Sequence, residues 1–484
     1  MTRLVAVSNR VEPPRGAPLA GGLTVALVDA LAAHHGLWFG WSGQIAPEAG
    51  PPRVEPGAEF DLATIDLTQQ EHADYYNGFA NRCLWPLHHF RLDLALYDRR
   101  EFEAYRRVNA RFAASLAPLL REGDLVWVHD YHLFCLGAEL RRAGATQRIG
   151  YFLHIPFPPH ELMATLPCHQ ELARALFDYD LVGLQTQGDV ERFCTWLERH
   201  AGARCVDGVV HAFGRSLSVG AFPVGIDAGR FRAFAEGGRG RREFERSRTA
   251  LAGRDQIIGV DRLDYSKGLL RRFAAYEQML EKHSDVHGRV ELLQIAPVSR
   301  GEVKAYRDFR RELEQKAAQI NGHYGRIDWT PVRYINRPVP RKALAGLHRA
   351  SRVGLVTPMR DGMNLVAKEY VAAQDPDDPG VLVLSRFAGA AQQMTAAMLV
   401  NPYDATEVAD ALYRARSMSL DERRHRHAAL VANVFGEDVT RWREDYLNTL
   451  QTQDEPTMNG AANSPLHARD ASGNLAAKGI PTRT

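Results

Sequence analysis

No stretch of the chain approaches the ~20 consecutive apolar residues that a membrane-spanning helix needs, so no membrane partner is expected. Cysteine is scarce: five in 484 residues, at Cys83, Cys135, Cys168, Cys194 and Cys205, with no CxxC pair. That spacing excludes a zinc knuckle or a disulfide framework and fits a reduced, cytoplasmic setting. Leu4 to Val7, ahead of Ser8-Asn9-Arg10, is too short for the apolar core of a signal peptide. An excess of either charge is missing too, with 60 basic against 58 acidic groups and a formal net charge of +2. Such balance argues against a nucleic-acid partner, and any phosphate must be gripped by a few placed cations.

Several catalytic signatures are also missing. Gly21-Gly22 opens an apolar helix, yet neither GxGxxG nor GxxxxGK[ST] is present. His160-Glu161 begins like HExxH, but Ala164 stands where the second histidine belongs, so no zinc site and no metal is expected. There is no GxSxG, and no cysteine has a neighbouring base. Asp178-Tyr179-Asp180 precedes a strand rather than ending one, so it reads as a cap on the helical stretch Leu172 to Phe177. The run Gly237 to Arg242 reads as a solvated linker.

What is present is a repeated unit. At 45% hydrophobic and 24% charged, the chain has a globular composition and the length of two or three domains. Short β-rich runs end in polar residues and lead into helical stretches, the pattern of βα units in a parallel sheet. In the first half these runs are Leu4–Val7, Trp38–Gly43, Leu125–Val128, Ile149–Leu153 and Leu181–Leu184. In the second they are Ile257–Val260, Val290–Ile295, Val353–Val356, Val381–Leu384 and Leu399–Val400. The fold class is therefore α/β, two Rossmann-like domains whose sheets face each other across a cleft. Expected boundaries are 1–225 and 226–425, then a helix over 426–450 and a disordered tail over 451–484.

Ligands in open parallel sheets bind at the carboxyl ends of the strands, and the polar residues there form constellations. Arg262 and Lys267 follow one strand of the second half, where they suit a diphosphate or pair with Asp261 or Asp264. Asn364 is a good N-cap for a helix running from Leu365 past Glu369, with Asp361 just before it. Arg10 and Arg300 end strands in opposite halves and converge on a phosphomonoester only across a cleft, with Tyr76 or Trp85 closing the pocket. Without a cleft they are ordinary surface arginines. Asp130 and His154 end two first-half strands, where they could order sugar hydroxyls or move protons. His154 could equally be a hydrogen-bonded residue fixing the turn Ile155 to Pro159.

Taken together, these stretches resemble the trehalose-6-phosphate synthase family of retaining GT-B glucosyltransferases. The resemblance rests on VSNR at Val7–Arg10, GLWFGWSG at Gly36–Gly43, YYNGFANRCLWP at Tyr75–Pro86 and WVHDYHL at Trp127–Leu133. It continues through FLHIPFP at Phe152–Pro158, RLDYSKGL at Arg262–Leu269, IAPVSRG at Ile295–Gly301 and TPMRDGMNLVAKEYVAAQDP at Thr357–Pro376. It implies glucose transfer from a nucleotide donor, usually UDP-glucose, to glucose 6-phosphate, giving α,α-trehalose 6-phosphate without a cofactor. By the same resemblance the donor lies against Gly21, Gly22, Arg262, Lys267, Val339, Asp361 and the run Leu365, Val366, Ala367, Lys368 and Glu369. Arg10, Tyr76, Trp85, Asp130, His154, Ile155 and Arg300 take the acceptor and the transferred sugar. Arg262, Lys267, Asp361, His154 and Asp130 carry the chemistry. A homo-oligomer, dimer or tetramer, and a last helix crossing back to the first domain are implied as well. Alternatives on the same scaffold are a catalytically silent sugar-phosphate sensor, or a transferase with another phosphorylated acceptor. No DxDxT motif follows, so the chain is expected to stop at the phosphorylated product.

Overall fold

The computed structural model describes residues 2–11, 22–298 and 304–452, apart from the side chains of 22–26 and 304. Gly21, Arg300 and the stretch beyond 452 lie outside the described residues, as does most of the Pro/Gly-rich loop after Val11.

Two sheets are present. The first contains β1 (Leu4–Arg10), β2 (Leu37–Ala46), β3 (Arg53–Glu55), β4 (Asp61–Thr68) and β5 (Leu125–His129). It continues with β6 (Arg148–Phe152), β7 (Leu181–Leu184), β8 (Arg204–Val206), β9 (Val209–Ala212) and β10 (Arg215–Ala221). Their order is 3-4-2-1-5-6-7-10-9-8. Strands 4-2-1-5-6-7-10 run parallel, with antiparallel β3 at one edge and β9 and β8 at the other. The second sheet contains β11 (Asp255–Val260), β12 (Val290–Ile295), β13 (Val332–Ile335), β14 (Val353–Val356), β15 (Val381–Ser385) and β16 (Met398–Val400). It is wholly parallel in the order 13-12-11-14-15-16. The expected α/β class with two parallel-sheet domains is what the chain adopts.

The central parallel strands β1, β5, β6, β7, β11, β12, β14 and β15 are buried on both faces along nearly their whole length, which is why they read as continuous apolar runs. The parallel part of each order reverses once, between β1 and β5 in the first sheet and between β11 and β14 in the second. Those reversals open crevices at the strands' carboxyl ends, where Arg10 and Asp130 sit in one sheet and Arg262 and Asp361 in the other.

Three segments differ from expectation. Gly238–Leu251 is a helix, not a linker. A side chain at Gly346 would strike the carbonyl of buried Gly240, so Gly346 lets its helix touch this one, while a side chain at Gly240 would strike the Phe234 carbonyl. Asp178 and Asp180 do not cap the preceding helix, which spans His169–Leu176. Asp178 pairs with Arg215, while Asp180 accepts from Ile149 N at 2.6 Å and Arg141 Nη2 at 2.9 Å, fixing the start of β6. The helical stretch after Arg424 is two helices, Leu420–Gly436 and Val439–Thr452. The second lies on the first sheet, its Tyr446 ring stacked 4.8 Å from Trp127.

Candidate active site between the two sheets

The second sheet supplies a loop after β11 and another after β14. In the first, Asp264 caps a short turn by accepting from Ser266 N at 3.0 Å, and Gly268 at φ 70° hands the chain to the helix Leu269–Lys282. That left-handed turn suits glycine, and a side chain there would also strike the Thr357 carbonyl. Lys267 is thereby aimed at the second loop, where Nζ meets Asp361 Oδ2 at 2.5 Å. Its partner is thus neither Asp261 nor Asp264. Asp261 pairs instead with buried Arg272 at 2.7 Å, and Arg272 also donates to Gln294 at 2.8 Å and Thr357 at 3.1 Å. This buried group ties β11, β12 and β14 together beneath the loops.

Burial pushes the Asp361 carboxyl up, but the Lys267 ammonium outweighs it and holds the group below the usual carboxylate range. Asn364 adds an amide donor to Asp361 at 3.0 Å and caps the helix Leu365–Ala373 by accepting from Ala367 N at 3.2 Å. The first turn of that helix therefore opens beside an ionised pair, with backbone donors available to an anion. Glu369 is held by Arg341 at 2.7 Å, just beyond Val339. Lys368 turns its ammonium away, to Val224 O and Gln393 Oε1 at 2.9 Å each, and burial lowers it to about 8. Only its backbone remains for a ligand.

The first sheet contributes ring faces. A wide π-type helix, His72–Leu84, places Tyr75 inward, its hydroxyl donating to Asn9 at 2.7 Å, while Tyr76 stays half-buried. From Arg10 a continuous series of contacts follows. Arg10 lies 5.8 Å from the Trp41 ring, Trp41 5.5 Å from Tyr76, and Tyr76 is stacked at 5.8 Å on His132. Tyr131 touches His132 at 3.9 Å and Trp85 at 5.6 Å, and the Arg262 guanidinium lies 5.6 Å from Trp85. That last contact joins the sheets.

Asp130 and His154 meet beside this wall. Asp130 sits at φ 76°, a strained backbone for a non-glycine residue. Its N–H bonds Phe152 O at 2.8 Å and its carboxylate accepts from His154 N at 3.2 Å. The His154 ring shares a hydrogen bond of 3.1 Å with His129, and burial lowers His154 to about 3. It is a neutral imidazole at pH 7. A side chain on Gly362 would collide with the His154 carbonyl and Ile155, so this glycine lets the second sheet's loop touch the first. Arg360 stacks 4.5 Å from Phe90 alongside.

Arg10, Tyr76, Trp85, Arg262, Lys267, Asp361, Asp130 and His154 thus lie along one run of contacts between the sheets. Sequence reasoning missed His89 and Arg341. His89 is buried, its Nδ1 donating to Trp85 O at 2.7 Å. Burial lowers its pKa to about 4, with the charges of Asp264, Lys267 and Asp361 all acting on it. Nothing in Trp85-Pro86-Leu87-His88-His89 marks the last residue over its neighbour; only the cleft does. A cavity of about 990 Å3 opens beside the loops, lined by Asn81, Arg91, Tyr265, Gly268 and Met359 among others. It includes none of the charged groups above, so volume alone does not locate the chemistry.

The profile of glycosyltransferase family 20 matches residues 14–452. The chain belongs to this family. A trehalose-6-phosphate synthase from Sinorhizobium fredii is 49% identical over 456 residues, covering 93% of this chain and 98% of the relative. One from Enterobacter sp. is 47% identical over 453 residues, covering 93% and 95%. Among family structures, an α,α-trehalose-phosphate synthase (UDP-forming) from Burkholderia xenovorans, solved with glucose-6-phosphate, superposes with a TM-score of 0.90 at 47% identity, covering 93% of this chain and 100% of that one. A structure from E. coli bound with UDP-2-fluoro glucose gives 0.90 at 46% identity, covering 94% and 100%. The two-sheet architecture is the family's GT-B fold.

Proposed function

We propose that this chain transfers glucose from UDP-glucose to glucose 6-phosphate with retention, releasing UDP and α,α-trehalose 6-phosphate. The observation that carries the reading is the Lys267–Asp361 pair at the mouth of a helix N-terminus, facing Asp130 and His154 across the cleft. Two relatives solved with glucose-6-phosphate and with a UDP-glucose analogue support the choice of substrates.

The donor diphosphate lies between Arg262 and Lys267, with the backbone of Leu365 to Ala367 donating to it, Glu369 and Val339 on the nucleoside, and Gly21 and Gly22 covering it. Asp361 and neutral His154 hold hydroxyls of the transferred glucose. Arg10, Tyr76, Trp85 and Arg300 enclose the acceptor, with Asp130 on its hydroxyls. The C–O bond to the leaving phosphate breaks as the acceptor hydroxyl attacks the same face. Its proton passes to the leaving phosphate oxygen, so configuration is kept without an enzyme nucleophile. The cations stabilise charge that develops on the diphosphate as the bond breaks.

The test is to supply glucose 6-phosphate with UDP-, ADP- and GDP-glucose in turn and to characterise the product by NMR. An α,α-1,1-linked disaccharide phosphate, formed fastest from UDP-glucose, is expected. Donor consumption that yields only free glucose would refute the transfer.

A further inference from the structure

Glu369 is the buried acid of the helix Leu365–Ala373, and that helix is fastened on several sides. Asn364 caps its start, Lys368 reaches Val224 O and Gln393 Oε1, and the Tyr370 hydroxyl donates to Ser351 O at 3.1 Å. The Glu369 backbone is therefore fixed, and only its long side chain remains to be placed. One group places it. Arg341 Nη2 donates to Glu369 Oε1 at 2.7 Å, and no other group among the described residues bonds that carboxylate. Oε2 reaches solvent and is left as an acceptor.

Arg341 stands where its own helix disfavours a cation. It opens Arg341–Ala350 directly after Pro340, in a first turn that contains no acid. The dipole there is positive, so a guanidinium gains nothing from the helix itself. Two contacts hold it in place: the bond to Glu369, and the ring of buried Phe231, 5.5 Å from the guanidinium carbon. A planar fork suits a carboxylate edge and a ring face together, which an ammonium does not.

We propose that Arg341 is a positioning residue that fixes Glu369 for the ribose hydroxyls of the nucleotide, and so lets the site tell a ribonucleotide from its deoxy analogue. This rests on the donor reading above, which sets Glu369 on the nucleoside. Held at Oε1, the carboxylate has lost its rotamer freedom before the nucleotide arrives, so binding does not have to order it. Burial pushes the Glu369 carboxyl above the usual carboxylate range, and the guanidinium limits that rise, favouring the ionised, acceptor-only form. A ribose hydroxyl that meets it gains a charge-assisted bond, whereas an analogue without hydroxyls takes up the space and offers no donor.

The test measures Kd for UDP and for 2′,3′-dideoxy-UDP by calorimetry, in the native full-length chain and in Arg341→Gln, Arg341→Lys and Glu369→Gln. The native chain should prefer UDP by about tenfold or more, the scale of one hydrogen bond to a charged group. Arg341→Gln keeps an amide donor for Oε1 but loses the fork and the charge. It should cut the preference to about threefold or less, while affinity for the dideoxy analogue changes by less than about twofold. Arg341→Lys keeps the charge and should recover part of the preference. Glu369→Gln should lack it from the start, and adding Arg341→Gln to that variant should change the ratio no further. Equal weakening of both ligands in Arg341→Gln, or a UDP preference that survives it, would overturn the role of Arg341 and leave the donor reading standing. A native chain that binds no UDP would overturn the donor reading, and this proposal with it.

Discussion

The two sheets share one strand order about their reversal points, yet they meet the cleft with different chemistry. The first presents ring faces: Trp41, Tyr76, His132, Tyr131 and Trp85 touch in sequence, with Arg10 at one end. The second presents charge: Lys267 on Asp361, Arg341 on Glu369 and, beneath them, Arg272 on Asp261. Ring faces suit the C–H surface of a sugar, and fixed cations suit a diphosphate that gains charge as it leaves. Under the proposed function the same βα scaffold is divided between recognising an acceptor and carrying the bond cleavage.

If that division holds, the largest effect belongs to the second sheet. Under the proposed function, Lys267→Ala removes a cation from the leaving group and leaves the largely covered Asp361 beside the Asn364 amide. Turnover should fall by about 10³-fold, at the upper end of what one transition-state donor supplies. Circular dichroism should be unchanged. Turnover within tenfold of the parent would end the assignment of Lys267 to the diphosphate. On the first sheet, Tyr76→Ala should act mainly through the acceptor. KM for glucose 6-phosphate should rise by about tenfold or more, the scale of one lost ring contact plus its buried area. KM for UDP-glucose should change by less than about twofold, since uniform loss of acceptor binding leaves the donor terms alone. Equal changes in both constants would erase the contrast between the two regions.

Much of this architecture was legible in the sequence because parallel strands buried on both faces leave apolar runs that end abruptly in polar residues. Nine of the ten runs named from pattern lie within a strand, Ile149–Leu153 overruns β6 by one residue, and Asn364 caps the helix it was assigned. The misses share a physical cause. β4 and β8 to β10 carry half-exposed faces, so their alternation is diluted among polar residues. Gly237 to Arg242 looks like a linker because glycine and arginine suit solvent. From Gly238 on it is helix, and Gly240 there is needed for close approach to the Phe234 carbonyl, which no local pattern reveals. In the candidate site the strand-end cations were visible, but their partners were not. Lys267 finds Asp361 rather than the nearer acids in sequence because the reversal of strand order sets β11 beside β14.

The comparison also extends to pH. Burial lowers His88 and His89 to about 4 and His154 to about 3 in the first region; in the second, His348 falls to about 3. A histidine whose folded pKa is depressed costs nothing above its unfolded value near 6.5. As pH falls below that value, the unfolded chain takes up protons that the folded one refuses. Each such histidine then removes stability with a slope approaching about 1.4 kcal/mol per pH unit. Three of these four are in the first region, so its amides should lose hydrogen-exchange protection first. At pH 5.5 against 7.5, β5 and β6 should open more than β11 and β14. Opening of the second sheet first would show that its ion pairs, not these imidazoles, govern acid sensitivity.

The smallest effect tests what fastens the last helix to the first region. Tyr446 lies over Gly150 and Gly183, where a side chain on either strand would strike its ring, and its hydroxyl donates to Tyr151 O at 3.1 Å. Tyr446→Phe keeps the ring in that seat and the stack on Trp127, but leaves the Tyr151 carbonyl without this donor. The loss should be about 1 kcal/mol, the net worth of one buried neutral hydrogen bond. In a chain of this size that corresponds to a Tm lower by about 1–3 °C, measurable by calorimetry. Because the hydroxyl lies behind the sheet and not in the cleft, kcat should stay within the error of the parent. If kcat falls while Tm holds, the helix acts on the relation between the two sheets rather than as a passive clasp. The division of labour would then depend on how the sheets are joined as well as on what each presents.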